Sequence, residues 1–125
     1  MRKLMMVVAL VAVMVPLLAA AAFATNQVIR CTGLPCTATG TDDLVYERAR
    51  NGLNDEIHLK GGHDQVRANG YTSDRDEIYG GRGNDLIRVN DGDTLDKIRA
   101  GDGPDTCYVD ARREAVSGCA TLRVR

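Results

Sequence analysis

Gly80-Gly81-Arg82-Gly83-Asn84-Asp85-Leu86-Ile87-Arg88 is the stretch that decides the fold. Its glycines let the backbone turn tightly and point carbonyl oxygens inward, where a side chain would obstruct them. Asp85 adds an anionic oxygen beside those carbonyls. The Leu86-Ile87-Arg88 segment then alternates as a short strand does, with Ile87 inward. One oxygen-rich turn followed by one short strand predicts a coil of parallel strands whose turns suit a hard metal ion.

The same unit, an acid followed two residues later by an apolar residue, recurs along the chain. Acids stand at Asp43, Asp55, Asp64, Asp76, Asp85, Asp96 and Asp105, with a degenerate copy at Glu114, in steps of 12, 9, 12, 9, 11, 9 and 9 residues. Each step holds a strand and a turn but no helix of ordinary length. The predicted fold is therefore all-β, a parallel β-roll in which two sheets of short strands are joined by Gly/Asp-rich turns.

Successive turns reverse direction, so every second acid falls on the same rim. One rim holds the glycine-rich loops ending at Asp43, Asp64, Asp85 and Asp105. They read Gly40-Thr41-Asp42-Asp43, Gly61-Gly62-His63-Asp64, the 80–85 loop, and Gly101-Asp102-Gly103-Pro104-Asp105. The opposite rim holds Asp55, Asp76, Asp96 and Glu114 in loops that are mostly longer or poorer in glycine. Insertions there are expected to spoil regular coordination, so the glycine-rich rim is the expected metal rim.

Period-two alternation places Val45, Ile57, Val66, Ile78, Ile87, Ile98, Cys107 and Val116 in the core and the residue after each in solvent. On the metal-rim sheet the outward residues form a column of Tyr46, Arg67, Arg88 and Tyr108. Such a column suits a solvated sheet face. It also suits docking of an anionic polysaccharide or another extracellular protein, with rings stacking on sugar and guanidinium groups pairing with carboxylates.

The chain begins with an export pattern: Arg2 and Lys3, an apolar run from Leu4 to Leu18, and Ala22-Phe23-Ala24 in small-x-small form. Residues 1–24 are expected to be a signal peptide cleaved after Ala24, with an uncleaved membrane anchor as the alternative. Residues 25–37 are expected to form an N-terminal cap with a cysteine hairpin, 38–118 the roll and 119–125 a tail. Loss of Arg2 and Lys3 takes the formal charge from −1 to −3. That mild acidity, with no Trp, gives no sign of a nucleic-acid partner.

The four cysteines Cys31, Cys36, Cys107 and Cys119 all follow the leader. In an exported small domain an even count favours disulfides, and proximity pairs Cys31 with Cys36 and Cys107 with Cys119. They form no paired CxxC knuckles for zinc. His58 and His63 are separated by strand and turn, so they do not share a helical face as zinc ligands do. Ser73 and Ser117 lack a nucleophile-elbow context, and no cysteine-histidine arrangement stands out, so no enzyme is expected.

Over residues 38–118 the chain resembles the hemolysin-type calcium-binding, or RTX, repeat family, and within it the short cysteine-stapled secreted members. The resemblance implies a right-handed roll in which calcium sits between stacked loops of one rim. It implies a best site formed by Gly80, Gly81, Gly83, Asn84, Asp85, Gly101, Gly103 and Asp105. A second site would use Gly62 and Asp64 against the 80–85 loop, and a third Gly40, Asp42 and Asp43. Only one nonapeptide is complete, Lys60 stands where glycine is expected, and Pro104 replaces the common asparagine. Calcium would cancel repulsion between stacked aspartates and so couple binding to folding. The bland alternative is a metal-free solenoid in which Gly and Asp only make turns.

Overall fold

The computed structural model describes residues 28–31, 35–47 and 53–125. The expected signal peptide, residues 1–24, with its expected cleavage site lies outside them. Eleven short strands follow one another: β1 Val28–Cys31, β2 Pro35–Thr37, β3 Leu44–Glu47, β4 Glu56–His58, β5 Gln65–Arg67, β6 Glu77–Tyr79, β7 Leu86–Arg88, β8 Lys97–Arg99, β9 Thr106–Val109, β10 Ala115–Ser117 and β11 Thr121–Val124. A single 3-10 turn, Arg112–Glu114, is the one helical element among the described residues. No helix there is long and apolar enough to cross a membrane.

Odd-numbered strands form one sheet in the order β1-β3-β5-β7-β9-β11, and even-numbered strands the other, β10-β8-β6-β4-β2. Each strand is followed by one in the opposite sheet, so consecutive neighbours within a sheet are parallel. The protein is an all-β solenoid of two stacked parallel sheets. Strands β1 and β2 at one end, and β11 at the other, extend the sheets past the 38–118 repeat.

The register stacks like on like. Ile29, Val45, Val66, Ile87, Cys107 and Leu122 face one another rung by rung in the six-stranded sheet, as do Cys36, Ile57, Ile78 and Ile98 in the five-stranded one. The members between the end rungs are fully buried, apart from Cys36 at 9% exposure. Val116 departs from the expected pattern: it is 49% exposed. A register shift in β10 puts Ala115 opposite Ile98 and Ser117 opposite Arg99, so Ala115 fills the core place and Val116 is pushed outward. The degenerate repeat at Glu114 coincides with this bulge.

A second core column runs along the end of the six-stranded sheet through Cys31, Ala68, Val89 and Val109, all buried. Glu47 sits in this column, in register with Cys31, and is itself buried. Both expected disulfides form. Cys31–Cys36, with Cα atoms 5.6 Å apart, ties the two sheets at the first rung, and Cys107–Cys119, at 5.8 Å, ties β9 to the turn after β10. Two disulfides fit an oxidising compartment.

Candidate metal centres on the two rims

Among the described residues all ten buried polar or charged side chains are carboxylic acids: Asp43, Glu47, Asp55, Asp64, Asp74, Asp76, Asp85, Asp96, Asp105 and Glu114. Burying an ionised carboxylate costs several kcal/mol unless a partner compensates. Among the described residues the ion pairs His58–Glu56, Lys97–Glu77 and Arg99–Glu77 lie on the outer face of the five-stranded sheet.

The glycine-rich rim is a stack of loops hydrogen-bonded through their backbones. Arg82 N–H donates to Lys60 O at 3.0 Å, Asp102 N–H to Gly81 O at 2.7 Å, and Gly83 N–H to Asp102 O at 2.9 Å. Gly83 and Gly103 adopt φ of 131° and 138°, and a Cβ on either would overlap the carbonyl oxygen of the glycine below it, Gly62 or Gly83. These carbonyls therefore point straight into the next loop, and only glycine lets the loops stack. Gly62, Gly81 and Gly101 share the positive φ, and Gly80 closes against Ala100 O and Asp85 Oδ2.

The aspartates of this rim form a ladder. Asp43 N–H donates to Asp64 Oδ1 at 2.7 Å, Asp64 N–H to Asp85 Oδ1 at 2.9 Å, and Asp85 N–H to Asp105 Oδ1 at 2.8 Å. One oxygen of each acid thus holds the turn before it. The other, Oδ2 of Asp64, Asp85 and Asp105, is buried with no hydrogen-bond donor. Burial, with neighbouring aspartate charges adding, pushes the Asp64 carboxyl up to about 6 and the Asp85 carboxyl up to about 7, and burial also raises Asp105. A carboxylate whose free oxygen is already dehydrated is set to take a proton or a cation.

The first loop is built differently. Asp43 Oδ2 accepts from both the N–H and the hydroxyl of Thr39 at 2.7 Å, and Asp42 Oδ1 accepts the His63 N–H at 2.8 Å. A Cβ on Gly40 would meet nothing within 4 Å. Of the expected third site, Gly40, Asp42 and Asp43, the Asp43 Oδ2 is thus engaged within its own loop and the Asp42 Oδ1 by the next loop. Asn84 lies exposed, its N–H donating to His63 Nδ1 at 2.9 Å, which makes His63 a brace between loops.

The opposite rim repeats the ladder: Asp55 N–H donates to Asp76 Oδ1 and Asp76 N–H to Asp96 Oδ1, both at 2.8 Å. It also carries what spacing alone did not show. Three groups of carboxylates converge there, each with its oxygens within 4.8 Å of one another: Glu47, Asp74 and Asp76; Asp74, Asp91 and Asp93; and Asp93, Asp96 and Glu114. Burial, the largest cause, with neighbouring acids adding, pushes Glu47 up to about 7, Asp76 and Asp96 up to about 8 and Asp91 up to about 6.

Loop insertions on this rim do not dilute the acids; they deliver Asp74, Asp91 and Asp93 among them. The rim whose loops are longer or poorer in glycine is thus the one where carboxylates converge in threes. On the glycine-rich rim one aspartate of each loop enters the buried ladder, and the further oxygens beside it are backbone carbonyls. The signal for the second rim was in the chain as Asp74, Asp91 and Asp93, acids additional to the repeat.

Comparison with protein-family models, with curated proteins and with solved structures finds no match. The chemical statement therefore rests on the geometry: buried acidic clusters that can hold a metal ion.

Proposed function

We propose that this chain is a secreted, non-enzymatic calcium-binding protein of the hemolysin-type repeat class, with calcium held on the glycine-rich rim and coupled to folding. The observation that carries the reading is the buried, donor-less Oδ2 of Asp64, Asp85 and Asp105 beside stacked glycine loops. Calcium accepts six to eight oxygens, including backbone carbonyls, in loose geometry, whereas magnesium demands a near-ideal octahedron and keeps its waters. Two successive aspartates with loop carbonyls between them match the former. Gly80, Gly81, Gly83, Asp85, Gly101, Gly103 and Asp105 would form the principal site, and Gly62 and Asp64 its neighbour.

Calorimetric titration with calcium tests this. Asp85→Asn, which touches both sites, is expected to weaken binding on this rim at least tenfold. Unchanged calcium affinity and ion number in the variant would refute the assignment.

A second reading, an extracellular interaction module stiffened by calcium, is favoured by the register of the six-stranded sheet. Arg30, Tyr46, Arg67, Arg88, Tyr108 and Arg123 stand on successive rungs. Arg67 packs over Tyr46 at 5.6 Å and Arg88 over Tyr108 at 5.1 Å. A cationic line with interleaved rings suits an anionic polysaccharide. Retention on an immobilised sulfated polysaccharide, lost in Arg67→Ala/Arg88→Ala, would support it; equal elution of both proteins would remove it.

A further inference from the structure

The non-repeat acids of the opposite rim are placed where packing alone gives them no purpose. Glu47 occupies a core column whose other buried members are Cys31, Ala68, Val89 and Val109. An acid there costs free energy that an apolar side chain would not. Its Oε2 accepts the Gly70 N–H at 2.9 Å, and its Oε1 is buried without a donor. Asp74, its neighbour in the first acidic group, is 2% exposed and likewise leaves Oδ2 without a donor.

The far group repeats this arrangement. Glu114 is fully buried, its Oε2 accepts the N–H groups of Asp110 and Ala111, both at 2.8 Å, and its Oε1 has no donor. Asp96, 2% exposed, spends Oδ1 on the Asp76 N–H and leaves Oδ2 without a donor. Each outer group thus brings together a backbone-anchored glutamate and an aspartate. Both are more than nine-tenths buried, both have one oxygen lacking any hydrogen-bond donor, and a third acid completes the group. No cationic side chain among the described residues pairs with them.

We propose that this rim holds two divalent-cation sites of its own, one at Glu47, Asp74 and Asp76 and one at Asp93, Asp96 and Glu114. These two groups share no residue, so filling one does not exclude the other; the middle group overlaps both, sharing Asp74 with the first and Asp93 with the second and adding Asp91. They differ in kind from the sites of the glycine-rich rim, being built from converging side-chain carboxylates rather than from loop carbonyls beside a single ladder of aspartates. More anionic ligands around a hard ion give tighter binding. This rim therefore fills first as calcium rises. The inference extends the calcium reading but stands on different residues.

The test is calorimetric titration and equilibrium dialysis with calcium alone, on the parent, Glu47→Gln, Glu114→Gln, the double variant and Asp85→Asn. Each glutamine keeps the backbone-accepting oxygen and removes the charge. Each single substitution is expected to lose one of the tightest ions, and the double variant both, while Asp85→Asn keeps them. A double variant that binds the same number of calcium ions within threefold of the parent's affinities would overturn the proposal. Loss confined to Asp85→Asn would overturn it and leave the glycine-rich rim standing; a parent that binds no calcium would overturn both. Thermal melts give a second readout: Glu47→Gln is expected to melt higher than the parent in chelator and to gain less from added calcium. A lower melting point in chelator with an undiminished calcium gain would also overturn it.

Discussion

Replacing Asp85 by Asn tests the electrostatic argument at one atom. Asp85 Oδ1 accepts the Asp64 N–H at 2.9 Å, while Oδ2 is buried without a donor. Burial, with the charges of Asp64 and Asp105 adding, moves its pKa from 3.8 to about 7. A shift of roughly three units is about 4 kcal/mol between protonated and ionised forms. Because the folded state binds this proton more tightly than the unfolded chain, the metal-free fold holds its full stability below 3.8 and loses it continuously as pH rises to about 7. Above that it carries the whole penalty.

Asparagine keeps the acceptor for Asp64 and cannot ionise. In metal-free buffer at about pH 8, Asp85→Asn is expected to be more stable than the parent. The gain is up to about 4 kcal/mol, less roughly 1–3 kcal/mol for an amide N–H₂ without an acceptor. Below about pH 4 that gain disappears, because both states of the parent are then protonated. Calcium is expected to reverse the order at the higher pH, since on the proposed reading ion binding stabilises the parent by mass action and the variant much less. Urea unfolding at the two pH values, with and without calcium, reads all of this. A variant less stable than the parent at about pH 8 without metal, or an order indifferent to calcium, would refute the reasoning.

Gly103→Ala, at φ 138° with its new Cβ driven into Gly83 O, is expected to cost about 3 kcal/mol or more in urea unfolding. Gly40→Ala, which meets nothing within 4 Å, should stay within about 0.5 kcal/mol of the parent. Lys60 is held at φ 69°, on the rung that Gly81 occupies in the next loop, so Lys60→Gly should raise stability by about 1 kcal/mol, seen as a higher melting temperature. Removing the Cys107–Cys119 bond, which closes a loop of sequence separation 12, with Cys119→Ser should cost about 3 kcal/mol; an unchanged urea midpoint would show that the bond contributes nothing.

The repeat made the fold legible because each unit carries two independent constraints. An apolar residue two after the acid selects the inward face, and the acid's own Oδ1 ties each turn to the next. The apolar residue is buried at every rung from Val45 to Cys107, and the Oδ1 bond is made by Asp64, Asp76, Asp85, Asp96 and Asp105. The pattern failed at Val116, where Glu114 replaces aspartate and a bulge shifts the register. It also stopped short of β1 and β11, whose stretches lack the Asp-x-apolar unit yet pair in register with β3 and β9.

For the site, the glycine-rich rim could be read because glycine and aspartate spacing encode its loops. The acids of the opposite rim could not be, since Glu47 reads as an ordinary strand-end residue. Its burial in an apolar column, 27 residues before Asp74 in the chain, emerges only when the coil stacks the two loops. Thr39 was equally silent, and its N–H and hydroxyl close the first loop around Asp43.

The central claim is that calcium neutralises buried carboxylates and so permits the coil to form. Far-UV circular dichroism of the protein at about pH 7.5, recorded with calcium and again after chelation, with bound calcium counted on the same sample, tests it most directly. The account predicts a β spectrum with ions bound and its loss on chelation. An identical β spectrum in both conditions, with no calcium retained after dialysis, would contradict it.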